Sequence, residues 1–300
     1  VTTTTDLPLE PTVAPAHQER KVRDTPGERA TAGVAHVVLI IWSIIVIAPM
    51  LWTLLSSFKT SREIFASPFK LPAALQFINY AHAWQQAGIG RAFINTVIVV
   101  GVAMVLVMML GSMCSYVLAR FQFFGRRAIY YLMLSGLTFP VFLAIVPLFY
   151  VLKNFGLLNT LPGLIITYVA FALPFTVFFL YAFFRTLPYE LAEAAAIDGA
   201  GEWKTFFLVM LPMARPGIAS VAIFNFLGLW NQFLLPVALN TTRSNWVLAQ
   251  AVAAFASQAG YRTDFGMLFA SVIITIVPVL AVYVIFQRQL QASVTAGSLK

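Results

Sequence analysis

Long apolar runs joined by short polar connections make up most of this chain. Uninterrupted apolar stretches occupy about 34–58, 92–119, 128–152, 164–184, 216–236 and 267–287. Each is long enough to cross a hydrocarbon core of about 30 Å as a helix, in which every backbone hydrogen bond closes within the segment. Membrane strands would instead alternate apolar and polar residues over about ten positions, and runs such as Gly101–Leu110 and Phe171–Phe184 do not alternate. The pattern predicts an all-α polytopic membrane protein with six transmembrane helices. Residues 1–33 differ in kind: they are rich in Thr, Pro and charge and read as a disordered tail. No basic start with a short apolar core opens the chain, so no cleavable signal peptide is expected. Residues 291–300 are read as a second tail.

Composition agrees with the pattern. The chain is 60% hydrophobic and 10% charged, whereas soluble domains run near 45–50% and about 25%; its mean hydropathy is +0.84. A single cysteine, Cys114, excludes a disulfide scaffold, and the spans leave no room for a sizeable soluble enzyme domain. Three histidines and one cysteine form no Ser/His/Asp, Cys/His or zinc-spaced cluster, so no catalytic or metal-ligating residue is expected. With the N-terminus inside, twelve of the 19 Lys and Arg residues fall in inner segments and seven in outer ones. The positive-inside rule then puts both termini in the cytoplasm. Basic flanks of membrane spans account for the net charge of +8 without a nucleic-acid partner.

All eleven acidic residues lie outside the six apolar stretches, and no Lys or Arg sits within a span. Ion-coupled carriers place ionisable groups at membrane depth despite a cost of several kcal/mol, because the coupling ion needs a ligand. A carrier of a neutral polar solute, driven from outside the membrane, fits better. Sodium sites built from backbone carbonyls keep a secondary carrier as the alternative from a different class.

Four of the eleven carboxylates gather in one inner connection, residues 186–215. Pro188 suits a first helical turn, and Glu190 and Glu193 lie near the positive end of the helix that follows. Gly199 and Gly201 break this helix. From Glu202 onward, Trp203, Phe206, Phe207, Met210 and Leu211 recur at i, i+3, i+4, i+7 and i+8, the apolar face of a second short helix ended by Pro212. Helix, glycine turn and amphipathic helix together would present a rigid knob to a partner. An interfacial helix resting on lipid headgroups would explain the aromatic face, but not Glu193 and Asp198 flanking the break. The run Gly199-Ala-Gly-Glu-Trp-Lys204-Thr205 echoes a phosphate-binding loop, yet Trp203 fills the second glycine position and no strand precedes it.

Glu193-Ala194-Ala195, three residues, Gly199, nine residues, then Val209-Met210-Leu211-Pro212 resembles the EAA loop of ABC importer permeases, with Val209 in place of the usual Ile. Ser57-Phe58-Lys59-Thr60 with Asn79-Tyr80, Pro188-Tyr189-Glu190-Leu191 and Trp230-Asn231-Gln232 look like the carbohydrate-uptake branch, and within it the maltose-permease-G-like partner. Thr295–Lys300 is similar to that group's C-terminal tail, with Ser298 and Leu299 departing from it. The resemblance implies the type I importer permease fold and a subunit of an ATP-driven, binding-protein-dependent sugar importer in a bacterial cell membrane. It implies as partners a second permease, two cytoplasmic ATPase subunits holding the ATP and Mg, and an extracytoplasmic sugar-binding protein. No cofactor is expected on this chain. The loop would then dock on the ATPase, with Glu193 pairing with a basic group, Gly199 supplying the turn and Ala194 and Ala195 permitting close approach. Glu190, Asp198, Trp203, Phe206, Phe207, Leu211 and Pro212 complete the coupling set. A permease for another polar solute, such as a glycerol phosphodiester or a peptide, is the alternative within the family.

A sugar site needs hydrogen-bonding groups and an aromatic face. Asn95, Asn225, Asn231 and Gln232, with Tyr168 and Trp230 for rings, are the candidates for the solute pathway. Amides are costly to bury without several partners, whereas Ser112, Ser115 and Thr138 suit helix packing. Pro140, Pro147 and Pro174 are expected to kink their helices.

Overall fold

The computed structural model describes residues 26–257 and 264–298, with side chains for 31–257 and 264–287. All regular elements among the described residues are helical. They are α1 (Pro26–Ser56), α2 (Ser61–Ala66), α3 (Ile78–Gln85), α4 (Ile89–Arg120), α5 (Arg126–Thr138), α6 (Val141–Asn154) and α7 (Leu161–Thr186). Next come α8 (Glu190–Ile197), α9 (Glu202–Lys204), a π-helical stretch Thr205–Met210, α10 (Leu211–Met213) and α11 (Arg215–Trp230). α12 (Leu234–Leu239), α13 (Leu248–Ser257) and α14 (Phe265–Ser298) complete the order. Contacts divide the chain into residues 1–51 and residues 52–300. The described part of the first unit is the helical run from Pro26, the N-terminal portion of α1.

Four continuous apolar helical segments, 31–56, 89–120, 161–186 and 265–287, are long enough to cross a membrane. Two bent helix pairs reach the same length and apolarity only when taken together, as a broken span or a re-entrant loop: Arg126–Thr138 with Val141–Asn154, and Glu202–Met213 with Arg215–Trp230. The stretch 128–152 is not one helix: α5 and α6 meet at 109°. A proline pushes the preceding residue out of the helical region, and Phe139 before Pro140 is extended. Pro147 and Pro174 lie inside continuous helices, so of the three only Pro140 makes a break. The stretch 216–236 is likewise interrupted, because α11 ends at Trp230 and α12 begins at Leu234. Asn231 closes α11 by donating its Nδ2 to Leu227 O at 2.9 Å, a local side-chain bond that competes with helix continuation. Two boundaries also move. Residues 26–33, expected in a disordered tail, are the first turns of α1, while 1–25 lie outside the described residues. The expected tail at 291–300 is helical as far as Ser298.

Within residues 52–300, α4 and α7 make the most extensive helix–helix contact, with α5 against α7 and α11 against both. Apolar burial drives little association in lipid, so small residues and interhelical hydrogen bonds matter. Gly111 of α4 illustrates the first: a Cβ there would lie 2.4 Å from Thr176 Cγ2 on α7. Asn225 of α11 illustrates the second, donating to Thr176 Oγ1 at 2.8 Å, while Thr176 donates to Ala172 O.

Within residues 52–300, two of the segments that carry the carbohydrate-branch resemblance, Ser57–Thr60 just after α1 and Asn79–Tyr80 on α3, are bonded to each other. Asn79 Nδ2 donates to Ser57 O and Lys59 O, both at 2.9 Å, and Ser57 shares a hydrogen bond with Tyr80. Lys59 is buried and satisfied by Pro68 O at 2.8 Å. Thr60 and Glu63 form a reciprocal cap on α2. Ser61 donates to Asp264, whose carboxylate also caps α14 through Met267 N.

Candidate functional site

The segment 187–213 stands on the ends of α4 and α7. Arg120, the last residue of α4, donates Nη2 to Leu187 O at 2.7 Å and lies 4.5 Å from the Tyr189 ring centroid. Pro188 precedes α8 instead of occupying its first turn; Tyr189 is the N-cap. Glu190 and Glu193 sit in the first turn of α8, where the helix dipole favours negative charge. The helix stops in a Schellman motif. Ala200 N reaches Ala195 O at 2.9 Å and Gly199 N reaches Ala196 O at 3.0 Å, with Gly199 at φ +77°.

Past the turn, the segment Glu202–Met213 is helical throughout, and Pro212 does not end it. Leu211 N bonds Phe206 O, one residue further back than in an α-helix. This π turn lies directly upstream of Pro212, whose ring crowds a regular turn and lacks an N–H. The chain bends only at Ala214, by 76° into α11. The wider turn also alters the face expected from a 3.6-residue period. Phe206 and Met210 are buried against Tyr116, Leu180 and Phe184, and Phe206 and Tyr116 ring centroids are 5.0 Å apart. Trp203 is exposed and stacked on Phe207 at 6.0 Å. Leu211 is half-buried. Ala195 is buried within the chain, so it offers no outward surface; Ala194, Glu190, Glu193 and Asp198 are exposed. Ile197 and Leu208 are strongly exposed and were not in the expected coupling set: Ile197 stands alone before the glycine break, and Leu208 falls off the face of Trp203, Phe206, Phe207, Met210 and Leu211.

The solute candidates separate. Asn225 and Gln232 line one open cleft of about 380 Å³ at the α5–α6 break, together with Phe139, Phe171, Phe175 and Phe224. Such a cleft lies within the roughly 300–1,000 Å³ of ligand pockets and combines amides with ring faces. The other candidates lie apart. Asn95 donates to Ser244 O and Trp246 O, both at 2.9 Å, and so holds that loop. Tyr168 and Trp230 are core residues; Trp230 donates Nε1 to Thr275 O at 3.2 Å. Asn231 is exposed at the end of α11. The phenylalanines of the cleft went unread because rings are abundant throughout the apolar runs.

Among the described residues no group of three or more His, Cys, Asp or Glu is placed to hold a metal.

Residues 108–295 match the family described as "Binding-protein-dependent transport system inner membrane component". The diacetylchitobiose uptake system permease protein of Streptomyces coelicolor is 65% identical over 273 residues, covering 91% of this chain and 90% of that protein. The trehalose transport system permease protein of Mycobacterium tuberculosis is 32% identical over 252 residues, covering 84% and 92%. Among solved structures, a bacterial ABC transporter involved in import of the acidic polysaccharide alginate has a chain that superposes with a TM-score of 0.79. It covers 89% of this chain and 98% of that one at 19% identity, a likeness of fold.

Proposed function

Since the chain belongs to the family of binding-protein-dependent transport system inner membrane components, we propose that it is the permease for uptake of diacetylchitobiose by an ATP-driven importer. The observation that carries the cargo is the 65% identity, over 91% of the chain, to the diacetylchitobiose permease of Streptomyces coelicolor. The chain is a sugar importer permease of the multi-pass membrane class, not an enzyme. In the proposed assembly it pairs with a second permease, two ATPases hold ATP and Mg, and an external binding protein delivers the sugar. Both termini face the cytoplasm.

Residues 190–213 form the proposed ATPase contact. Exposed Glu190, Glu193 and Asp198 supply charge, Ile197 and Trp203 supply apolar surface, and Gly199 sets the turn. Phe206 and Met210 carry displacement into α4 and α7. Docking drives alternating access only if its binding energy differs between inward- and outward-facing states. Asn225 and Gln232, with the neighbouring phenylalanines, form the proposed solute lining on this chain.

The test is uptake of labelled diacetylchitobiose in cells lacking this chain and in cells carrying Glu193→Lys or Gln232→Ala. Loss of uptake in the deletion, retained membrane insertion of both variants, abolished uptake in the first and a raised KM in the second are expected. Uptake of diacetylchitobiose unchanged by the deletion removes the cargo assignment. Normal uptake by Glu193→Lys removes the coupling role.

A further inference from the structure

At the end of α4 away from the coupling segment, two guanidinium groups converge on a cleft of about 260 Å³. Arg91 sits in the first turn of α4 and Arg243 in the short 3-10 turn Arg243–Asn245. They strap the two segments together reciprocally: Arg91 Nε donates to Ser244 O at 3.0 Å, and Arg243 Nη2 donates to Ala87 O at 3.4 Å. Each uses one N–H in these straps and has four more to offer. Trp246, whose indole N–H is buried and meets no acceptor, lines the same cleft. No carboxylate is among the lining residues, and the positive end of α4 adds to the same sign of field.

The loop carrying Arg243 is held rigidly. Asn95 binds it at Ser244 O and Trp246 O, Asn240 Nδ2 at Asn245 O, and Thr96 Oγ1 accepts from Leu248 N at 2.7 Å. A preorganised cationic cleft costs less to order when a ligand enters.

Arg91 also stands at the boundary of the apolar run, the depth at which headgroups lie. Beneath it on the same face of α4, at i+3, i+7, i+11, i+14 and i+18, come Ile94, Ile98, Val102, Val105 and Met109, all exposed. From Ile94 to Met109 this stripe runs about 22 Å, more than the roughly 15 Å of one leaflet's hydrocarbon. Phosphate-binding donors above an exposed aliphatic stripe are the complement of one amphiphile. We propose that this face binds an anionic phospholipid, its phosphate in the Arg91–Arg243–Trp246 cleft and an acyl chain along the α4 stripe.

The full-length chain with its co-purifying subunits is extracted in detergent, and the lipid it retains is measured by native mass spectrometry after exchange against equal phosphatidylglycerol and phosphatidylcholine. Wild type is expected to retain phosphatidylglycerol preferentially. At about fivefold per guanidinium, the preference falls about fivefold in Arg243→Gln and roughly 30-fold in Arg91→Gln with Arg243→Gln. Should the double variant fail to assemble, the single variant, which keeps the Arg91 strap, and the wild-type preference decide. No phosphatidylglycerol preference in wild type, or an equal preference in Arg243→Gln, overturns the proposal. Stabilisation by inorganic phosphate without lipid preference assigns the cleft to a free anion and overturns it too. So does an Arg243→Gln effect confined to binding of the external sugar-binding protein.

Discussion

Replacing Gly199 isolates what a single backbone angle contributes to the loop. Its φ of +77° is a region that L side chains rarely adopt, and a Cβ built there meets nothing within 4 Å. Any cost of substitution is therefore conformational and not steric. Alanine in the left-handed region costs roughly 1–2 kcal/mol, a factor of about 5–30 in the population of the closed turn. Asparagine tolerates that region better, and a β-branched residue is a genuine outlier there. The strain falls on two hydrogen bonds, Ala200 N to Ala195 O and Gly199 N to Ala196 O, so the last turn of α8 is where it would be relieved. The expected order of uptake rate is Gly, then Asn, then Ala, then Val, with membrane level constant across the series. Hydrogen exchange of amides 198–200 should accelerate in the same order, by about 5–30-fold for Ala if exchange proceeds through local opening. A Gly199→Val variant that exchanges and transports like wild type would refute the reasoning, because then the positive φ is not what the position needs. Slow uptake by Gly199→Asn with normal exchange would point instead to the contact surface.

Other perturbations follow from named contacts. Gly111→Ala places a methyl 2.4 Å from Thr176 Cγ2 and should lower thermal stability in detergent by about 1–3 kcal/mol. Thr176→Ser, which removes that methyl but keeps the hydroxyl for Asn225, should restore much of the loss. The Glu63 carboxyl is held below the ordinary carboxylate value, first by the Thr60 backbone amide, with desolvation opposing. Because the folded value is depressed, its contribution is present above the ordinary value of 4.5 and disappears as pH falls through the lower folded value. Wild type should lose more stability than Glu63→Gln on acidification below that value. Arg120→Lys keeps charge but loses the planar contact with Tyr189; uptake should fall with normal assembly. Phe206→Ala and Leu152→Ala both empty buried sites, at about 3–5 and 2–5 kcal/mol. Only the first is expected to leave ATP hydrolysis running without uptake.

The continuous spans were readable because length and unbroken apolarity decide them. The ends of 31–56, 89–120 and 161–186 fall within three residues of those expected from apolarity. The bends were not readable, because hydropathy is blind to direction. Pro140 announces a disturbance, but whether it makes a kink or a 109° turn depends on where α5 and α6 find partners: α5 on α7 and α6 on α12. Gly199 was legible because few residues other than glycine fit the turn. The buried face of Glu202–Met213 was read only in part, since a 3.6-residue period extrapolated through a π turn puts Trp203 on the same side as Phe206. Gly111 and Thr176 escaped notice for a different reason: their meaning lies in closeness to another helix, and small residues recur throughout the apolar runs.

Both sharp bends abut the closely packed α4–α7 pair, the first through α7 alone. α5 rests on α7, with a Cβ at Gly136 only 2.7 Å from Pro174 Cγ, and α11 leans on α4 and α7 beyond the bend at Ala214. Among the knob's connections inward are two beyond its start on α7 and Arg120: Phe206 and Met210 into the α4–α7 aromatic cluster, and the covalent path through Ala214 into α11. From Arg215 to Asn225 that second path is about 15 Å of unbroken helix. It ends at the cleft beside the other bend. Close-packed interiors deform little, so a push on the knob is more readily absorbed at the two bends than within α4 or α7. In the proposed transport cycle, the angle at Ala214 and the opening at Phe139–Pro140 are therefore coupled coordinates, with Asn225 between them, bonded to Thr176 of the α4–α7 pair at 2.8 Å. That bond makes Asn225 a gauge of the motion as well as a candidate for touching the solute: if α11 slides on α7, its hydrogen bond to Thr176 must break or follow.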